Sequence, residues 1–399
     1  MSAAPVAVLE VEEDLLPSPV KRWTPTYSGH LPALDGLRGI AVLMVVVYHY
    51  AFELPHGHGI GGATYEMLHQ GRHGVDLFFV LSGFLITGIL LDSKRSPRYF
   101  STFYARRTLR IFPLYYGVLF AVLVLWPLFA TPGPRAQQVM HDQGWLWLYG
   151  TNILVSMRDT VLFNAEHFNL AHFWSLAVEE QFYLVWPLLV LALSRRALGW
   201  VCVALLPLAL VTRWAFEARA DLSLAAYYFT VCRVDALAIG ALVAVLARSP
   251  GGLTALRRPA LWILPITAVL WAASLPSTGG KHWDFSVHFI YTPVGLFCGA
   301  LVCLALTSPP WSATARVLCA APLRFFGKYS YGLYVFHFLL YPTFQALYAR
   351  FPLPGALHLG ALGLAGLGIV STIGSVGVAW VSYNLYEKQF LKLKSRFNY

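Results

Sequence analysis

The chain is cut into apolar runs of bilayer length. They fall at Leu34–Tyr50, from Leu77 onward, at about 112–130, from Phe173 to Arg195-Arg196, and then at about 199–216, 224–247, 260–275, 288–307, 330–349 and 359–385. A bilayer core about 30 Å thick needs ~20 apolar residues in a helix. Only helices or closed barrels satisfy their backbone polar groups there. The expected fold is therefore all-α and polytopic, with about ten transmembrane helices. Composition agrees: 57% of the 399 residues are hydrophobic and 12% charged, and mean hydropathy is +0.59. These values exclude an ordinary soluble domain.

Three regions are expected: a polar tail over 1–33, a membrane domain over 34–386 and a basic tail over 387–399. The first holds Glu10, Glu12, Glu13 and Asp14 and no apolar core of a cleavable signal. The charge of +10 does not indicate nucleic acid, since no basic segment has interleaved aromatics in a polar context. With ten spans both termini share a side. Placing them in the cytoplasm puts most of the 29 basic residues inside, which is the usual bias of membrane proteins. Trp145–Val155 is too short to span and is expected to be interfacial or re-entrant; counting it as a span would break the charge pattern. Five cysteines without a CxxC pair read as small buried residues. Glu53–Gln70 is a Gly/His-rich loop, and His56 and His58 have no third partner at metal-ligand spacing, so no metal is expected.

The ionisable residues inside or beside the spans carry the functional signal. Arg38 and His49 are eleven residues apart in the first span, close to three turns and roughly 16 Å along one helical face. Arg107 and Arg110, three apart, are neighbours just before the third span. Together with Arg38 they form a cationic cluster near the inner surface that suits a phosphorylated ligand. Ser82-Gly83, small residues in the second span, permit close helix contact. His49, Asp76, Glu179, Glu180, Arg233 and Asp235 are assigned to the outer half. Ser175 is placed to cap the fourth span, with Glu179 and Glu180 near its positive end. An imidazole held by a carboxylate can take a proton from a hydroxyl. A phosphate-binding mouth joined to such a base describes a transferase whose donor and acceptor arrive from opposite sides. His337 is expected to be buried or to line a channel, and Glu387 to form a salt bridge at the inner surface.

These motifs together resemble the membrane acyltransferase-three family. The matching stretches are Leu34-Asp-Gly-Leu-Arg-Gly39 with His49, Gly74-Val-Asp-Leu-Phe-Phe-Val-Leu-Ser-Gly-Phe84, Arg106-Arg-Thr-Leu-Arg-Ile-Phe-Pro113, Phe173-Trp-Ser-Leu-Ala-Val-Glu-Glu-Gln-Phe-Tyr183, Ser330-Tyr-Gly-Leu-Tyr334 with His337, and Tyr386-Glu387. The resemblance covers nearly the whole chain. It implies transfer of an acyl group, acetyl in particular, from acyl-coenzyme A to a hydroxyl of a carbohydrate or related acceptor, in the bacterial inner membrane. No bound cofactor is implied; acyl-coenzyme A is a co-substrate. Arg38 with His49 matches the family's Arg-x10-His signature, and Arg107 with Arg110 its Arg-x-x-Arg signature. The catalytic set is then His49, Arg38, Glu179, Glu180 and Asp76, and the donor-binding set Arg107, Arg110 and Ser82. Some relatives add an esterase-like domain outside the membrane; without one, this chain is expected to act alone or with a partner. The rival reading is a proton-coupled secondary transporter, which ten spans with buried His, Asp and Arg would also suit. Against it, the two halves show no repeat and no matched pair of broken helices.

Overall fold

A computed structural model of the chain describes residues 30–51, 60–219, 222–274, 289–350 and 361–398. The acidic residues of the N-terminal tail, Glu53, His56 and His58 lie outside the described residues. The long helices are α1 Pro32–Ala51, α2 Ile60–His69, α3 Gly74–Asp92, α4 Tyr99–Phe120, α5 Trp174–Ala192, α6 Arg195–Glu217, α7 Thr230–Ala247, α8 Gly252–Ser274, α9 Tyr291–Thr307, α10 Ala321–Leu339 and α11 Ala361–Ser382. No strand forms among the described residues; one isolated bridge joins Asn164 and Asn169. Every expected span has a helix at its position. Eight helical stretches are long and apolar enough to cross a bilayer. The other two, α9 and α10, fall short for different reasons: α9 has 17 residues, and α10 carries Arg324, Lys328 and His337.

The glycines of the motifs set the packing. A Cβ on Gly39 would overlap the carbonyl of Leu323, and one on Gly327 the carbonyl of Asp35, so α1 and α10 touch backbone to backbone. Gly83 and Gly240 do the same for α3 and α7, against Leu237 and Val80. Small residues at a crossing let helices approach without side chains between them. In this way Arg38 and His49 on α1 are fixed against α10, and Ser82 on α3 against its neighbours.

Three local expectations change. From Ile60 onward the segment read as a loop is α2, followed by a tight turn over Gln70–His73. Its glycines hide the helical signal, but Tyr65 and His69 are buried on folding, and tertiary contact outweighs weak propensity. Ser175 does not cap α5: its Oγ donates to His172 O and meets the Tyr334 hydroxyl, while the cap position is Phe173. Glu387 has no ion pair within 4 Å among the described residues; it accepts from Ser382 Oγ at 3.1 Å and acts on Arg110 through space. The region read as non-spanning is two short helices, Gly144–Trp147 and Thr151–Arg158. The chain turns between them at Tyr149, whose φ of 52° lies in the left-handed region. Gln181 Nε2 holds that turn by donating to Tyr149 O at 2.9 Å. Cys202, Cys232, Cys298 and Cys303 are buried as read, and Cys319 is half-buried; all five are free.

Candidate active site

Two cavities meet inside the bundle, sharing Val75 and Tyr334 in their walls. The first is narrow, about 100 Å³, and Arg38, Ser82, Arg107, Arg110, Glu179 and Glu180 face it. α1 brings Arg38, α4 the two arginines one turn apart, α3 Ser82 and α5 the glutamates. Arg38 donates to Asp35 at 3.1 Å. Arg107 lies over the Tyr183 ring, 5.1 Å from its centroid. Among the described residues neither Arg107 nor Arg110 is in an ion pair or donates a hydrogen bond, so their forked donors face the cavity unused. Ser82 is not free: its hydroxyl donates to Glu179 Oε1 and sits 2.8 Å from the Tyr183 hydroxyl. Glu180 Oε1 is buried with no hydrogen-bond partner. The sequence grouping of both glutamates with His49 therefore changes; they belong with the arginines.

The second cavity is wider, about 560 Å³, and holds His49, Arg72, Glu166 and His172 among aromatic walls. The state of His49 follows from its neighbours. His337 is fully buried on α10, with Nδ1 at 2.7 Å from Tyr334 O and 3.1 Å from Leu333 O. Two carbonyls can only accept, so Nδ1 carries the proton and Nε2 is an acceptor. That Nε2 is 3.0 Å from His49 Nδ1, which also lies 3.0 Å from Val45 O. His49 Nδ1 is thus the donor, and His49 Nε2 keeps its lone pair. A half-buried imidazole with an unprotonated nitrogen on a cavity is a proton acceptor. The holder is histidine, not the carboxylate expected from sequence. His172, 6.3 Å from His49 between ring centroids, donates Nε2–H to Val335 O at 3.2 Å and leaves its buried Nδ1 unpartnered. Sequence reasoning read His337 only as a buried or channel-lining residue, and it did not name His172. His337 sits within the matched motif, but its local pattern says nothing of a neighbour 288 positions away; His172 had no signal.

Asp76 lines neither cavity. It holds His73 Nδ1 at 2.8 Å and Arg233 at 2.7 Å, all three being buried, and Arg233 stacks 4.0 Å from the Tyr291 centroid. Beside it Arg213 pairs with Asp235 at 2.9 Å and donates to Thr292 at 2.6 Å. The histidine held by a carboxylate is therefore His73 rather than His49. At the rim of the wide cavity Glu166 accepts from the backbone N–H of Arg135 at 2.9 Å and of Ala136 at 3.1 Å. Burial pushes its carboxyl up, but these bonds outweigh that and hold it below the usual carboxylate range.

A helical bundle with bilayer-length apolar helices, an arginine-lined cavity and an adjoining chamber with a proton-accepting imidazole defines an integral membrane protein equipped for group transfer. The chain belongs to the acyltransferase-domain family, whose pattern matches residues 31–383. It is 30% identical over 77% of its length to a Bacillus subtilis protein given the provisional name of a peptidoglycan O-acetyltransferase, covering 48% of that protein. To the peptidoglycan O-acetyltransferase OatA of Listeria monocytogenes it is 29% identical over 80% of its length and 50% of the relative's. To the O-acetyltransferase OatA of Staphylococcus aureus the values are 28%, 85% and 55%. The chain thus spans about half the length of the curated relatives it matches. No solved structure matches it.

Proposed function

We propose that this chain transfers an acetyl group from acetyl-coenzyme A to a carbohydrate hydroxyl at the bacterial inner membrane, with both termini in the cytoplasm. The relatives' names favour a peptidoglycan glycan as acceptor. The observation that carries the reading is the free Nε2 of His49 in a chamber that adjoins unpaired arginines. Arg107 and Arg110, with Arg38, would hold the phosphates of coenzyme A, and the junction at Val75 and Tyr334 would pass the thioester toward His49. There Nε2 takes the proton of the acceptor hydroxyl as its oxygen attacks the thioester carbonyl. The C–O bond of the ester forms, the C–S bond breaks, and the proton passes to the departing thiolate. His337 holds His49 in the tautomer this step requires. The cytoplasmic excess of Lys and Arg supports entry of the donor from inside. The relatives reported are all named acetyltransferases, so the transport alternative stands without support.

The test is label transfer from radiolabelled acetyl-coenzyme A to a glycan by the purified chain in bilayer discs. Loss of a general base costs about 10²–10⁴ in rate. His49→Ala and His49→Gln should both lose turnover by that order while still binding coenzyme A. Near-normal turnover in either variant removes His49 from the chemistry. Uptake of substrate into vesicles without ester formation would replace the enzyme by a transporter.

A further inference from the structure

The wide cavity contains a cation that the proposed reaction does not use. Arg72 is only 8% exposed, and the little surface it keeps faces the chamber of His49. Its one hydrogen bond among the described residues runs from Nε to His73 Nε2 at 3.4 Å. The rest of its guanidinium donates to nothing among the described residues.

The charges around it do not cancel. Beyond His73, Asp76 pairs with Arg233, and next to that pair Arg213 is held by Asp235. His73 cannot help, because its Nδ1 proton goes to Asp76 and its Nε2 can only accept. Among the described residues three arginines therefore share two aspartates, and Arg72, which feels Asp76 only through space, is the one with no carboxylate within ion-pair distance. On the cavity side the count repeats. Arg135 and Glu166 meet at 3.6 Å and offset each other, leaving Arg72 in excess. An uncompensated charge buried among spans is costly unless it is paired. The walls around it are aromatic, with Tyr48, Trp174, Tyr227 and Tyr228 among them, a surface suited to sugar faces. A chamber of about 560 Å³ is within the usual range for a small-molecule site.

We propose that the acceptor is anionic, and that Arg72 pairs with its carboxylate or phosphate while a hydroxyl of the same molecule lies against His49 Nε2. This deepens the acetyl-transfer reading and rests on it. Arg72 is a binding residue that selects acceptors: it lowers KM for charged ones and does not take part in bond making. The anion could belong to the sugar itself or to a phosphate joining a glycan to lipid.

The experiment measures acceptor kinetics of the full chain in bilayer discs at saturating labelled acetyl-coenzyme A. Three acceptors are compared: a glycan fragment with free carboxylates, the same fragment with its carboxylates amidated, and an amidated glycan joined to lipid through pyrophosphate. The wild type should prefer a charged acceptor over the amidated fragment by about tenfold to a hundredfold in kcat/KM, as expected for one charge-assisted pair. Activity on the first acceptor assigns the anion to the sugar; recovery on the third assigns it to phosphate. Arg72→Gln should erase the preference through KM, and Arg72→Lys should retain part of it. Coenzyme A binding checks folding, and where Arg72→Gln fails it, the wild-type preference and Arg72→Lys decide. Equal use of charged and neutral acceptors by the wild type overturns the proposal. So does a preference that survives Arg72→Gln, or a loss in kcat shared by every acceptor. Transfer to none of the three overturns acetyl transfer itself, and the proposal with it.

Discussion

Two groups of arginines inside the bundle, one fully buried and one half-buried, differ in what they face. Arg213 and Arg233 each face an aspartate, at 2.9 and 2.7 Å. Arg107 and Arg110 face an open cavity and no carboxylate within ion-pair distance among the described residues. Both groups sit in spans where charge is expensive. In the first the cost is offset inside the protein, so the pair works as scaffold, tying α3 to α7 and α6 to α7. In the second no carboxylate among the described residues offsets it within ion-pair distance; the proposed donor phosphates would do so. Residue type alone does not tell these arginines apart; what each one faces does.

The comparison can be broken at several points. The largest effect on rate is the loss at His49 described above. For the scaffold, Asp76→Asn keeps the shape but leaves Arg233 buried without its counter-charge, and breaking such a pair costs about 3–5 kcal/mol. Thermal unfolding of the purified chain should show a large drop in stability. A variant of unchanged stability that has lost transfer would instead restore Asp76 to the catalytic role read from sequence.

The unpaired group should respond the opposite way. Arg107→Ala and Arg110→Ala should leave stability nearly unchanged and weaken coenzyme A binding by about tenfold to a hundredfold, the worth of charge-assisted bonds to phosphate. Raising acetyl-coenzyme A should recover the rate. If direct binding is unaltered and the rate stays low, these arginines do not hold the donor.

The smallest effect comes from a pair outside the spans. Arg158 grips Asp142 at 2.6 and 3.0 Å, and Gln138 adds a third bond at 2.6 Å. Burial pushes the Asp142 carboxyl up, yet these bonds win and hold it below its ordinary value. Its contribution to stability is therefore present above the unfolded-state pKa of about 3.9 and lost as pH falls through the lower folded value. Arg158 is well exposed, so Arg158→Ala should cost only about 0.2–1 kcal/mol near neutral pH. Melting temperatures of variant and parent should converge in acid; a gap that persists there would mean that packing, not charge, holds this segment.

Sequence alone determined the class of the fold and named residues that the structure brings to the two cavities. Apolar runs of bilayer length leave the backbone few choices, and the positions of all ten helices could be read from hydropathy. Local spacing placed Arg107 beside Arg110 and Arg38 on the face of His49, because three, four and eleven residues are fixed distances on a helix. Tertiary structure decided everything that depends on which helix lies against which. Whether a glutamate on α5 meets the arginines of α4 or the histidine of α1 is set by how the helices cross, and a linear pattern carries no such register. The same holds for His49, whose partner is His337 on α10, and for Asp76, whose partner is Arg233 on α7. A charge announces itself in the sequence, but whether it is already paired is known only when the helices have packed, since that pairing joins different helices, 22 positions apart for Arg213 and Asp235 and 157 for Asp76 and Arg233.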